Sequence, residues 1–429
     1  MKTENVLTRS RNISRDSYLW NMAGSGIMAF QSVLLLMILT RTVGLKYSGI
    51  FTIAYANANL MLTIGKYYMH NFHVSDTAEL YSFGDYRLSR IITTVLMLLC
   101  SAGYVIIYAL QGNSSQEKSM IILFTCIFKA VDAIEDVYCS LYQQRGRLDI
   151  SGKVMTLRLI VTLLFFTLCI LVTRDLLITL IASTVFTAVV CLGLNLLCFP
   201  YFRAHVQNRG NLRQVARLLG VCLPLFVGNF LSLYLTNAPK YAIDRMLSDE
   251  EQACYGFIAM PMFVINLLNN FIFNPVIRSM SEKWAQKDIS WIRRALLRQI
   301  LIIIGICVVC LAGAAVLGIP VLSLLYGTNL HAYRAELLVL LVGSGFLAIS
   351  GMLLTVITIM RQQKASLAGY GICAVLAFFL ASPAVNRWGM MGAAMLSMLL
   401  HAILSILFAL IVIFRLRQAD KYPNKGDNP

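Results

Sequence analysis

Charge is scarce in this sequence. Only 13% of its 429 residues are Asp, Glu, Lys or Arg, where a soluble domain carries about 25%. A soluble chain with half the usual charge would expose apolar surface and aggregate, so that class is excluded. Long hydrophilic stretches are missing as well. No segment between apolar runs exceeds about 20 residues, so there is no extramembrane domain to carry catalytic groups, and a membrane-embedded polymerase or glycosyltransferase is disfavoured. No G-x-x-x-x-G-K-[ST] phosphate loop occurs, which removes nucleotide hydrolysis by that route. No H-E-x-x-H occurs and the five His are scattered, so neither a metal site nor a cofactor is expected. The eleven Cys sit almost entirely inside apolar runs, which is no disulfide framework. Cys307 and Cys310 have CxxC spacing, but within a helix, where they read as small packing residues rather than a ligand or redox pair.

What is present is apolar and continuous: 58% hydrophobic residues and a mean hydropathy of +0.72. Runs at 91–110, 154–172, 176–198, 300–316 and 396–414 each approach the ~20 residues that cross ~30 Å of hydrocarbon. In the bilayer core only helices and closed barrels satisfy the backbone, and continuous rather than alternating runs select helices. The sequence predicts an all-α membrane protein of about twelve transmembrane helices. They fall at 18–39, 49–70, 90–110, 120–143, 154–172, 176–198, 216–237, 253–274, 294–317, 333–359, 365–383 and 390–414. The second, fourth and eighth carry polar residues and are weakest by hydropathy.

The net charge of +16 lies in loops between spans, so it reports orientation and anionic headgroups rather than nucleic acid. With the N-terminus in the cytoplasm, cytoplasmic segments collect about 23 Lys/Arg and outer loops about 8, as the positive-inside rule requires. Both termini are therefore expected in the cytoplasm. The first apolar segment has no small-residue cleavage site after it and reads as a retained span.

A weak internal repeat suggests two halves. Gly49-Ile-Phe-Thr-Ile-Ala54, preceded by Arg41, is echoed by Gly256-Phe-Ile-Ala259, preceded by Arg245. Six helices separate the copies, so the halves would be parallel repeats. The expected organisation is a cytoplasmic segment at 1–17, an N-lobe of six helices at 18–198, a cytoplasmic linker at 199–215, a C-lobe of six helices at 216–414 and a cytoplasmic tail at 415–429.

Polar residues inside spans are costly and usually face protein or a wet cavity. The fourth span carries Lys129, Asp132 and Asp136 on one face, with Glu135 beside them. Asp132 and Asp136 are candidates for coupling a proton or cation, against the alternative of a structural ion pair. The second span carries Asn59, Thr63, Lys66 and His70 on one face. Lys66 could meet a phosphate or snorkel to headgroups. The first span carries Asn21, Ser25 and Ser32 with Gln31 adjacent; the seventh, Asn229, Ser232, Thr236 and Lys240; the eighth, Asn266, Asn270 and Asn274 with Asn269 adjacent. These could line a polar cavity or merely bond helix to helix. Gly24-Ser-Gly26 and Gly343-Ser-Gly345 read as close-packing or kink sites.

The stretches Trp20-Asn-Met-Ala-Gly-Ser25, Leu39-Thr-Arg-Thr-Val-Gly44 and Tyr47-Ser-Gly-Ile-Phe51 resemble the polysaccharide flippase family (Wzx-type). That superfamily also holds the MATE exporters and the lipid II flippases. His70-Asn-Phe-His-Val-Ser-Asp76 and Tyr81-Ser-Phe-Gly-Asp-Tyr86 continue the resemblance over about the first 90 residues. It implies two six-helix lobes around a central cavity in a bacterial cytoplasmic membrane. The implied substrate is an undecaprenyl-diphosphate-linked oligosaccharide, moved by alternating access for capsular or cell-wall polysaccharide. Membrane lipids, and a polysaccharide polymerase with chain-length proteins, are the partners that setting implies. Arg41, Lys66, Lys129 and Arg245 become candidates for the phosphates; Asn229, Asn266, Asn270 and Asn274 for the sugars. The competing expectation is a cation-coupled, MATE-like exporter of small amphipathic molecules.

Overall fold

A computed structural model describes residues 6–76, 78–110, 115–202 and 210–421. The side chains of Val264, Asn266, Leu267, Asn270, Phe271, Asn274 and Lys421 lie outside the described set, as do 1–5, 203–209 and 422–429 of the expected N-terminal segment, linker and tail. Among the described residues the secondary structure is entirely helical, and eight helices are long and apolar enough to cross a membrane. The chain is a multi-span membrane protein. It forms two compact units, residues 1–230 and 231–429.

The first unit contains α1 (Ile13–Thr42), α2 (Leu45–Lys66), α3 (Met69–Ser75), α4 (Phe83–Leu110), α5 (Gln116–Gln144), α6 (Leu148–Thr173), α7 (Leu176–Cys198) and the start of α8 (Leu212–Met246). Side-chain caps start several of these helices: Asn12 accepts from the Arg15 amide, Ser115 from Lys118 and Asp175 from Ile178, each cap worth about 1 kcal/mol. α5 is the hub and packs against α2, α4, α6 and α7. α1 and α6 cross closely. A Cβ on Gly152 would fall 2.7 Å from the Asn21 nitrogen, and one on Gly24 would meet Met155 and Thr156. Of the Gly24-Ser-Gly26 pair, only Gly24 is a packing contact; a Cβ on Gly26 would meet open space.

α2 ends earlier than the span expected to reach residue 70. Tyr67 and Tyr68 turn left-handed, with φ of 48° and 56°, a conformation costing a non-glycine residue about 1–2 kcal/mol. Stacking of Tyr67 on Phe226, centroids 4.4 Å apart, offsets part of that. Lys66 is thereby the last residue of α2, where the helix dipole favours a cation, and His70 lies in the first turn of α3. Neither α2 nor α5 is among the eight apolar helices, although 22 and 29 residues are long enough to span. Their polar residues, such as Asn57, Lys129, Glu135 and Asp136, are buried against neighbouring helices.

The second unit holds the rest of α8, then α9 (Asp249–Ala259), α10 (Met262–Ala285), α11 (Ile289–Gly313), α12 (Ile319–Tyr326), α13 (Arg334–Ile359) and α14 (Gln363–Lys421). The expected span 294–317 runs on through a π-helical turn at Ala314–Gly318 into α12. Pro320 cannot donate its backbone bond to the preceding turn, and such a register change absorbs the defect. α14 is a helical hairpin. Gly389, at φ +56°, reverses the chain, so Tyr370 meets Phe408, centroids 5.3 Å apart, and Cys373 contacts the Leu400 carbonyl. A Cβ on Gly343 would lie 3.1 Å from the Met398 backbone, so this glycine lets α13 lie close to the hairpin. All eleven cysteines are free thiols.

Candidate functional site

The charged stripes of α2 and α5 meet inside the first unit and acquire partners that spacing did not disclose. Asp136 of α5 accepts from Arg90 Nη2 of α4 at 2.6 Å and stands 3.4 Å from Lys66 Nζ and 3.3 Å from His70 Nδ1. Arg90 also donates to the Gly65 carbonyl at 2.8 Å. Four residues earlier on the same helix, Asp132 accepts from Lys129 at 2.9 Å and from Arg158 of α6 at 2.8 Å. Arg158 also holds Glu135 at 2.7 Å. Lys129 lies 4.7 Å above the Tyr55 ring and donates to Gln31, which also accepts from the Tyr55 hydroxyl. Every carboxylate of the cluster is therefore held by at least one cation of the chain.

The balance of this cluster is uneven. Lys66, Arg90, Lys129 and Arg158 face Asp132, Glu135 and Asp136, leaving one positive charge in excess. Burial distributes that charge. The side chains of Arg90, Lys129 and Arg158 are 3–4% exposed, whereas that of Lys66 is 28% exposed. A buried, multiply bonded ion is fixed in place; a half-open lysine can change partner.

Lys66 opens into a cavity of about 500 Å³ between α1, α2, α3, α5, α6 and α8. Asn21 and Ser25 of α1, His70 and Asn71 of α3 and Asn229 of α8 contribute polar groups to its wall, and Asp132, Glu135, Asp136 and Arg158 line it beside them. The cavity offers a cation backed by carboxylates, with amide and hydroxyl groups around it. Such a lining can replace the water of an anionic, hydroxyl-rich ligand.

Beside the cluster and outside the spans, His73 stacks on Tyr86, centroids 3.9 Å apart. Burial, reinforced by the charges of Arg90 and His70, pushes its imidazole down to about 3. It is a neutral packing ring.

Of the residues singled out from sequence, Lys66, Lys129, Asp132, Asp136 and Asn229 are thus brought together. Lys129 is covered and engaged by Asp132 and Gln31. Arg41 is exposed in the last turn of α1, 16 residues beyond Ser25 and so about 24 Å along the helix. Arg245 is exposed in the last turn of α8, in the second unit. The side chains of Asn266, Asn270 and Asn274 lie outside the described residues; their neighbour Asn269 is buried and bonds Gln299 at 3.2 Å. Lys240, half-buried in α8 of the second unit, has no ion pair or hydrogen bond among the described residues. Arg90 and Arg158 were missed. Each is an ionisable residue near the start of an apolar run, and that alone was a signal.

No family model matches the sequence, and none of the curated proteins does. Solved structures match over nearly the whole chain. An inward-facing multidrug-resistance MATE transporter of the MOP superfamily is 12% identical, with a TM-score of 0.67 over 92% of this chain and 96% of its own. The lipid II flippase MurJ, inward closed, is 13% identical, with a TM-score of 0.68 over 97% of this chain and 93% of its own. A MOP superfamily transporter from Pyrococcus furiosus, described by the reversed polarity of its binding pocket, is 14% identical, with a TM-score of 0.54 over 95% and 96%. The fold is that of MOP-superfamily transporters and flippases.

Proposed function

We propose that this protein is a flippase moving undecaprenyl-diphosphate-linked oligosaccharide repeat units across a bacterial cytoplasmic membrane for capsular or cell-wall polysaccharide. In this reading it has twelve spanning helices in two six-helix lobes, both termini are cytoplasmic, and transport is by alternating access. The observation that carries the reading is the one excess positive charge of the buried cluster, presented by Lys66 in a cavity that Asn, Ser and His line together with the paired carboxylates. A diphosphate-sugar headgroup cannot cross hydrocarbon unaided, because burying unpaired charge costs many kcal/mol. Lys66 is assigned to a phosphate oxygen, and Asn21, Ser25, Asn71 and Asn229 to sugar hydroxyls. Lys129 is read as an organiser of Asp132, and Arg41 and Arg245 as contacts on entry or exit.

The second reading, a cation-coupled exporter of small amphipathic molecules, draws support from the likeness to the multidrug MATE transporter. It needs a carboxylate that can exchange a proton or metal cation. Here Asp132 and Asp136 are each held by two cations of the chain, which favours the anionic substrate.

The two separate in reconstituted vesicles. With fluorescent undecaprenyl-diphosphate-linked oligosaccharide in both leaflets, the flippase reading expects an outer-leaflet quencher to bleach more than half the signal. Signal stuck at one half, together with uptake of a cationic dye driven by a proton or sodium gradient, would establish the exporter instead.

A further inference from the structure

A second built cavity lies wholly within the second unit and is independent of the substrate reading. It is a groove of about 400 Å³ between α10 and α11. From α11 it takes Trp291, Arg294, Arg298 and Ile302, spaced i, i+3, i+7 and i+11 on one helical face. From α10 it takes Ile272, Pro275, Val276 and Ser279. The helices run antiparallel from the connection at 286–288, so the groove is graded. Ser279, Trp291 and Arg294 lie at the polar end, and Ile272 and Ile302 at the apolar end. Pro275, which breaks the backbone ladder of α10, sits on its wall.

The charges around the groove are sorted. Arg278 pairs with Glu282, Lys283 with Asp288 and Arg293 with Asp420. Arg298 has no ion pair or hydrogen bond among the described residues, and Arg294 makes only a 3.4 Å contact with the Ser290 carbonyl. No acidic residue lines the groove among the described residues. Of Arg278, Arg293, Arg294 and Arg298, the two with no ion pair among the described residues are thus the two that face the groove.

Depth identifies the occupant. Arg298 is the last charged side chain before an uncharged stretch from 299 to 330, so it marks the boundary between headgroup and hydrocarbon. Leu301, Ile304, Val308 and Val309 beyond it are exposed on the same helix, as lipid-facing residues are. Trp291 sits about two turns towards the water from Arg298, where indole rings favour the interface. A phosphate at Arg294 and Arg298, with an acyl chain along Ile272, Val276 and Ile302, matches this gradient. Basic pockets between spanning helices on the cytoplasmic side bind such headgroups.

We propose that the α10–α11 groove is a binding site for an anionic phospholipid of the surrounding bilayer, its phosphate held by Arg294 and Arg298. Each arginine is expected to add roughly fivefold to retention, and the pair roughly twenty-five-fold.

The test uses purified full-length protein in mild detergent, native mass spectrometry, and phosphatidylglycerol against phosphatidylcholine as probes. The protein is expected to retain phosphatidylglycerol well above phosphatidylcholine, and the R294Q/R298Q variant to lose that preference. R278Q/R293Q removes the same charge from paired arginines outside the groove and is expected to keep it. R294K/R298K, which preserves the charge, is expected to keep part of it and covers the case in which the glutamine variant fails to fold. Equal loss in both glutamine doubles, or loss in neither, would overturn the site. Displacement of the lipid by an equal concentration of inorganic pyrophosphate would overturn it too, by showing a site for a free headgroup anion.

Discussion

Replacing Lys66 by alanine removes the most exposed cation of the buried cluster. The structural cost is small. Lys66 stands 3.4 Å from Asp136 with 28% of its side chain exposed, and Asp136 keeps its 2.6 Å bond to Arg90, so the loss is about 0–1 kcal/mol. The functional cost is larger, because the cluster falls from one excess positive charge to none. A hydrogen bond to a charged group contributes about 1.5–3 kcal/mol, or roughly 10- to 150-fold in binding. Lys66→Ala is therefore expected to fold normally and to lose at least tenfold in flipping rate. Asp136→Ala is the contrast. It strands the buried Arg90 with the Gly65 carbonyl, a kind of loss that costs about 3–5 kcal/mol. Thermal unfolding in detergent and flipping in vesicles, measured on both variants, separate the two effects. Lys66→Ala within twofold of the parent in flipping would refute the phosphate assignment; a collapse in stability like that of Asp136→Ala would show the lysine to be structural.

Further outcomes are expected. Arg158→Leu leaves Asp132 with Lys129 alone and Glu135 without its arginine, and should cost about 3–5 kcal/mol, read as a lowered melting temperature. Gly152→Leu forces α1 away from α6, where even a Cβ would sit 2.7 Å from Asn21; accessibility of a cysteine placed at Ser25 to a polar thiol reagent should change while the protein still folds. His73, held near 3 against an ordinary 6.5, binds a proton more readily when unfolded. Its contribution to stability is complete above about pH 6.5 and falls by about 1.4 kcal/mol per unit as pH drops towards 3; His73→Phe should flatten that slope in pH-dependent melting.

The sequence was informative wherever a single helix carries the signal. The α5 stripe of Lys129, Asp132 and Asp136, with Lys129 bonded to Asp132, follows directly from 3.6-residue periodicity, and so does the alignment of Lys66 and His70. Gly24 and Gly343 lie at close helix contacts, as small residues in spans suggest. The cross-helix partners were not legible. Arg90 and Asp136 are 46 residues apart and Lys129 and Gln31 are 98 apart, and no spacing rule connects them. The early end of α2 was hidden because Tyr67 and Tyr68 carry no helix-stop signal; their left-handed turn is a tertiary effect, shown by the stack on Phe226. Hydropathy likewise undervalues α2 and α5, since it charges for polar side chains that other helices satisfy.

The central claim is tested most directly by the lipid-linked oligosaccharides of cells from which the gene has been deleted. With the sugar labelled and leaflet location read by accessibility to an impermeant reagent, the account predicts diphosphate-linked repeat units accumulating on the cytoplasmic face while surface polymer disappears. Unchanged lipid-linked intermediates and normal surface polymer would contradict it, and the exporter reading would then lead.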